Sequence, residues 1–167
     1  ILVSELDAAV KGQGGEPEFA IEAAVKRVAE LGDKLETMSE TQVQEFAGRL
    51  FDMAREGNLD LLAYIDHGVN IDLVNHEGQS FIMLAAYHGH AELVTALARA
   101  GADVNLLNDR GQSPLAGAIF KKEDAVIDAL LAAHADPTAG QPSALDSARL
   151  FGREDLISRL ESEAGDD

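Results

Sequence analysis

The fold of this chain is decided by residues 78–94, which read GQSFIMLAAYHGHAELV. Two short apolar runs in this stretch are separated by Gly89, which has a histidine on each side. The turn before the first run, NHEGQS at 75–80, recurs 33 residues later as NDRGQS at 108–113. A fixed period of this length indicates stacked copies of one small structural unit.

A second motif marks the end of each unit. GADVN at 101–105 returns 33 residues later as HADPT at 134–138, and a looser version, GVNID, stands at 68–72. The leading glycine stands where a helix should stop, because glycine adopts the left-handed conformation at little cost. His134 replaces that glycine in one copy, and histidine tolerates a positive φ better than most residues. We therefore expect His134 to end a helix in the same way.

The second helix of each unit repeats one apolar spacing. Two adjacent apolar residues are followed, three places on, by a third, which puts all three on one face of an α-helix. A unit of this size cannot bury that face alone, so we expect neighbouring units to stack and share one core. The spacing occurs four times, at Leu61, Leu62 and Ile65; Leu93, Val94 and Leu97; Val126, Ile127 and Leu130; and Leu156, Ile157 and Leu160.

These motifs resemble the ankyrin-repeat family. Residues 78–94 are similar to the family's G-x-T-P-L-H-x-A-A-x-x-G-H-x-E-V-V, and residues 101–105 match its G-A-D-V-N closing turn in full. The resemblance implies an all-α solenoid of stacked helix–turn–helix units with short β-turn fingers. It implies about four units, at about 42–74, 75–107, 108–140 and 141–164.

The first 37 residues do not match the repeat. Apolar residues at helical spacing, from Leu2 to Val10 and from Ile21 to Leu35, predict an amphipathic N-terminal helical hairpin. Three interpretations of residues 1–37 stay open. The hairpin is a cap on the first repeat, a segment that docks on a partner, or a foreign, partner-derived sequence joined to the repeats.

The boundaries of the repeat domain follow from local signals. The stretch that begins at Met38 resembles a start of translation, and Ser39 with Gln42 three residues on is typical of a capping box at the start of a helix. We therefore place the ankyrin-repeat domain at 38–164. Residues 165–167 are expected to be a disordered acidic tail.

Composition disfavours several classes of function. The net charge of −17 repels phosphates, so we expect no nucleic-acid partner and no attachment to anionic membranes. We interpret the acidic residues mainly as a solubility feature, with steering of a basic partner as the alternative. The chain has no Cys, which removes disulfides, thiolate chemistry and Cys-based metal sites and fits a cytoplasmic location.

No motif predicts catalysis. His88 and His90 form the one close histidine pair, and neither a Cys nor a third His lies near them in the sequence. His90 occupies the family's Gly-His position, for which the resemblance implies a hydrogen bond to backbone in the adjoining turn. The chain contains neither a phosphate-binding loop nor a nucleophile elbow. We therefore predict no enzyme activity, no cofactor and no metal.

Recognition of another protein is the better-supported function. Stacked repeats display the residues before the inter-helix turn, together with the loop tips, on one concave face. Large apolar groups there would carry binding energy, and the loop tips would form a polar rim. The alternative for Phe120 and Leu150 is burial between helices. The predicted partner-binding residues are Arg55, Tyr87, Phe120 and Leu150; then Glu56, His88, Lys121 and Phe151; and at the loop tips His76, Glu77, Gln79, Asp109, Arg110 and Gln112.

We therefore predict a protein–protein interaction module that binds a protein segment on its concave face, as an adaptor or inhibitor. The alternative is a structural or self-associating module whose N-terminal hairpin docks on a second copy. An enzyme is the least favoured class. The identity of the partner is not encoded in any of these motifs.

Overall fold

The computed structural model describes residues 39–164, which fold as a row of helix pairs. The hairpin predicted for residues 1–37 and the tail predicted at 165–167 lie outside the described residues. No strand forms in the described part of the chain, so the all-α prediction is confirmed there. The helices are α1 (Glu40–Glu56), α2 (Leu61–Asp66), α3 (Phe81–Tyr87), α4 (Ala91–Arg99), α5 (Pro114–Phe120), α6 (Asp124–Ala132), α7 (Ala144–Leu150) and α8 (Glu154–Ala164).

A serine starts the first helix of every pair. The Oγ atoms of Ser39, Ser80, Ser113 and Ser143 each accept a hydrogen bond from the backbone N–H three residues on, at distances of 3.1–3.3 Å. Such a bond satisfies one of the amide groups that a helix start leaves without a partner. At the first helix the Gln42 side chain also accepts from the Ser39 N–H, which confirms the predicted capping pair.

Positive φ angles occur at the turns that end the helices, including the predicted positions Gly68 and Gly101, where φ is 114° and 104°. Gly57 and Gly89 separate the two helices of a pair with φ of 72° and 82°. His134 has a φ of 63° and closes the turn after α6, as expected from its place in the motif. Lys122 does the same after α5 with a φ of 59°, although it is not a glycine.

The helices pack in two layers. The inner helices α1, α3, α5 and α7 pack side by side in that order, and α4 packs against α6 in the outer layer. The core lies between the layers, where Leu93, Val94 and Leu97 of α4 are fully buried. Leu62 and Ile157, in the first and last outer helices, are only half-buried. Within the described range, each end unit has a neighbour on one side only.

Hairpin loops project beyond the inner helices, and we call residues 74–80 the first finger and residues 107–113 the second finger. The Asn75 N–H donates to the Gln79 carbonyl at 3.0 Å, and Asn108 and Gln112 repeat this bond at 3.1 Å. A single antiparallel bridge pairs Val74 with Ser80. The two fingers are joined by one bond, in which the Asp109 N–H donates to the Glu77 carbonyl at 3.1 Å.

Gly78 and Gly111 offer a direct measure of that finger-to-finger contact. They occupy equivalent places with φ of 75° and 74°, so alanine is strained at both, at about 1–2 kcal/mol. A Cβ atom at Gly78 would also lie 2.8 Å from the Asp109 backbone nitrogen, whereas nothing lies within 4 Å of a Cβ at Gly111. We expect Gly78→Ala to lower the free energy of unfolding by at least about 1 kcal/mol more than Gly111→Ala. Urea denaturation of the two variants measures the difference, and equal midpoints would show that the fingers separate freely.

Candidate functional site

An open groove of about 630 Å³ runs between the two fingers and the inner helices. Its floor is built from the residues that face outward on α3, α5 and α7, and its wall is built from the fingers. Pockets of this size accommodate side chains of a partner or a small molecule. The lining residues are Glu77, Gln79, Met83, Tyr87, Asn108, Arg110, Gln112, Ser113, Pro114, Ala116, Gly117, Phe120, Pro142, Ser147, Leu150 and Phe151.

The groove exposes a strip of large apolar side chains. Tyr87, Phe120 and Leu150 are the last residues of α3, α5 and α7, and Phe151 follows Leu150. Their exposed fractions are 39%, 60%, 75% and 45% in chain order. The alternative that Phe120 and Leu150 are core residues is therefore wrong. We call these four residues the apolar strip.

Aromatic contacts hold the strip in place. The rings of Phe120 and Phe151 lie 5.9 Å apart at an angle of 58°, a tilted arrangement typical of favourable aromatic pairs. The Lys121 Nζ lies 4.9 Å from the centre of the Tyr87 ring, within the range of a cation–π interaction. Adjacent units therefore contact each other through the residues at the ends of their inner helices.

The fingers supply the polar wall. Glu77 and Arg110 are the two charged residues of the groove lining, one on each finger. Gln79 and Gln112 also line it, but each side chain accepts a hydrogen bond from the asparagine of its own finger, at 3.1 and 2.8 Å. These amides are already fixed, so they offer a partner a preorganised surface.

Six of the predicted site residues lie beyond the lining. His76 and Asp109 are exposed on the fingers, and the His76 Nε2 lies 3.6 Å from a Glu77 carboxylate oxygen. Arg55 pairs with Asp52 at 2.9 Å. The residues outside the lining are Arg55, Glu56, His76, His88, Asp109 and Lys121.

His90 has a structural role. Its Nε2 donates to the Arg55 carbonyl at 2.7 Å, which confirms the predicted bond to backbone in the adjoining turn. The imidazole packs against Gly57, where a Cβ atom would lie 2.5 Å from the ring. The residue therefore connects the first two helix pairs and is not available as a ligand.

His88 stands in a positive local field. Its pKa lies below the usual value, first because burial disfavours the charged imidazolium and then because His90, Arg55 and Lys121 repel it. The ring is in edge contact with Tyr87, at 5.7 Å between centres. Both burial and these neighbouring positive groups therefore favour the neutral form of the His88 imidazole.

Sequence reasoning missed the floor of the groove. Met83 lies four residues before Tyr87, and Ala116 lies four residues before Phe120, so each shares a helix face with a display residue. Both residues can be identified from the sequence, because they lie about one helical turn before Tyr87 and Phe120. Gly117 and Ser147 also line the floor, where small side chains leave room for a partner.

Residues 39–164 form neither a candidate metal site nor a helix that could span a membrane. Nowhere in that range do three His, Asp or Glu side chains come together as they would around a metal ion. None of the helices α1–α8 is long and apolar enough to cross a membrane.

Comparisons with known proteins support the resemblance. The family model for ankyrin repeats, in three copies, matches residues 50–141. An ankyrin repeat protein of Pseudomonas aeruginosa, PA3287, is 48% identical over 54 residues, which is 32% of this chain and 32% of that protein. The crystal structure of the human ASB11 ankyrin repeat domain is similar with a TM-score of 0.57 at 28% identity, covering 68% of this chain and 52% of that chain. The chain thus spans about a third of the curated relative and about half of the solved one.

Proposed function

This chain belongs to the ankyrin-repeat family, and on that basis we propose that it binds a segment of another protein in the groove, on its concave face, as an adaptor or inhibitor. Ankyrin repeats are in general protein–protein interaction modules and not enzymes. A scaffold of this kind needs no cofactor and no metal, because it acts through contact alone.

The apolar strip is the observation that supports this proposal. Its four large side chains are between 39% and 75% exposed and lie at the ends of three successive inner helices. Clustered apolar groups on a surface mark interaction sites, and aromatic anchors commonly carry most of the binding energy. The finger residues Glu77 and Arg110 provide the polar rim that surrounds such anchors in protein interfaces.

The same proposal covers the class of partner and the location. The net charge of −17 disfavours nucleic acid and anionic membranes, which leaves protein as the partner. The absence of Cys fits a reducing compartment, so the proposed location is the cytoplasm. The self-association alternative rests on residues 1–37, which lie outside the described residues.

Site-specific photo-cross-linking tests the groove as the binding face. A photoreactive phenylalanine analogue replaces Phe120 or Leu150 in two variants and Ala132, an exposed residue of α6, in a matched control. We expect the same partner to be captured from source-cell extract at both groove positions and not at Ala132. Capture at Ala132 alone would move the interface to another face, and capture of a second copy of the chain would support self-association.

A further inference from the structure

The described domain is acidic, and four of its arginines already pair with carboxylates. Residues 39–164 hold nine Lys and Arg against twenty Asp and Glu, a balance of nine minus twenty, or −11. Arg153 and Arg159 pair with Asp124 and Asp128 of α6 at 3.0 and 2.6 Å. Arg55 and Arg149 pair with Asp52 and Glu161 at 2.9 and 3.1 Å.

Two cations at the groove are different. Arg110 and Lys121 form no ion pair with any carboxylate in the described part of the chain. Arg110 lies on the second finger, just before α5, and Lys121 follows the last residue of α5. Helix α5 has seven residues and is about 10 Å long, so it separates Arg110 in the groove wall from Lys121 at the groove edge.

One carboxylate shares the groove lining with Arg110. Glu77 is the one carboxylate in the groove lining, and it lies near His76. Glu56 and Glu123 belong to the row of inter-helix turns, and the Glu123 carboxylate lies against Gly89. The lining thus carries one positive and one negative charge, and Lys121 adds a positive charge at its edge, on a chain with a net charge of −17.

A bound segment would cover both cations and remove part of their water. Covering a charge without a counter-charge opposes binding, whereas a carboxylate on the partner offsets that cost. The contact with the Tyr87 ring already restrains the Lys121 side chain over the groove edge, so less conformational entropy is lost when it pairs. A basic segment would be attracted by the distant acidic residues but would meet like charge at Arg110 and Lys121. Salt screens the distant attraction beyond about 8 Å, and the contact charges then decide.

We propose that the groove takes an acidic segment of a partner protein, whose large apolar side chain lies on Phe120, Leu150 and Phe151 while its carboxylates pair with Lys121 and Arg110. This inference rests on the proposed function and adds the chemistry of the partner to it. Area and shape alone would admit any apolar segment. The two unpaired cations select among apolar segments by charge.

Selection of peptides from a random library tests the inference without a known partner. The probe is a phage-displayed library of 12-residue peptides, panned against the full chain. We expect the enriched peptides to combine Trp, Phe or Leu with Asp or Glu. One enriched peptide is then synthesised, and its affinity is measured by fluorescence anisotropy at low and high salt.

The same charge reversal at two neighbouring lysines, Lys121 and Lys122, provides a matched control. Lys121→Glu is expected to weaken binding of the acidic peptide about tenfold or more. Lys122→Glu, the same change at the next residue, which has no contact with the Tyr87 ring, should weaken it by less than about threefold. Salt should weaken binding to the wild-type chain and affect the Lys121→Glu chain less. Far-ultraviolet circular dichroism checks that both variants stay helical.

The possible failures point to different conclusions. Enrichment of apolar peptides with Lys or Arg, or equal effects of Lys121→Glu and Lys122→Glu, would overturn the acidic partner and leave the groove as the binding site. Enriched peptides whose affinity is unchanged by Phe120→Ser, or no enriched peptide at all, would overturn the proposed function and this inference with it.

Discussion

Replacing Leu97 by alanine is expected to lower the free energy of unfolding by roughly 2–4 kcal/mol. Leu97 is fully buried in α4, beside Leu93 and Val94. Helix α4 packs against α3 of its own pair and against α6 of the next. The truncated side chain would therefore leave a cavity at the contact between two units, and both the lost burial and the cavity are destabilising.

Chemical denaturation followed by circular dichroism measures this loss. Leu150→Ala makes the same chemical change at a side chain that is 75% exposed, and we expect it to cost less than about 1 kcal/mol. The two variants together separate inter-unit packing from the general effect of losing a leucine. An unchanged midpoint for Leu97→Ala would show that the residue does not contribute to the core between units.

The double substitution Tyr87→Ser with Phe120→Ser is expected to abolish partner binding while the chain stays folded. The two aromatics end adjacent inner helices and are 39% and 60% exposed, so their loss removes contact surface and little core. At a true hot spot each anchor is worth on the order of 2 kcal/mol or more. Together they amount to about 4 kcal/mol, which is roughly a thousandfold in Kd.

A matched pair of exposed leucines controls for the change to serine. Leu59 and Leu107 are 41% and 39% exposed and do not line the groove. The double variant Leu59→Ser with Leu107→Ser should bind the partner, or the selected peptide, as the wild-type chain does in calorimetry. Normal binding by the Tyr87 and Phe120 variant would place the interface elsewhere, and its unfolding would show that the two aromatics support the core.

The fold was predictable from sequence because its signals are local and repeated. The serine caps, the positive φ of His134 and the bond from His90 to the Arg55 carbonyl each depend on a few neighbouring residues or on one recurring turn. The same pattern returning after 33 residues identified the stacked units, since one unit cannot bury its apolar face alone. The same period placed Tyr87, Phe120 and Leu150 at equivalent positions in successive units.

The tertiary structure decided which of those positions form one surface. Periodicity places Phe120 and Leu150 at helix ends but does not say whether a neighbouring unit covers them, and the structure leaves them 60% and 75% exposed. The contact of Lys121 with the Tyr87 ring joins residues from different units. The groove also joins residues from different units, because it is lined by the two fingers and three inner helices. The sequence by itself determined the unit and its turns. The groove, its exposed floor and its unpaired cations were decided by the distance and rotation between successive units, which arise from packing across the whole stack.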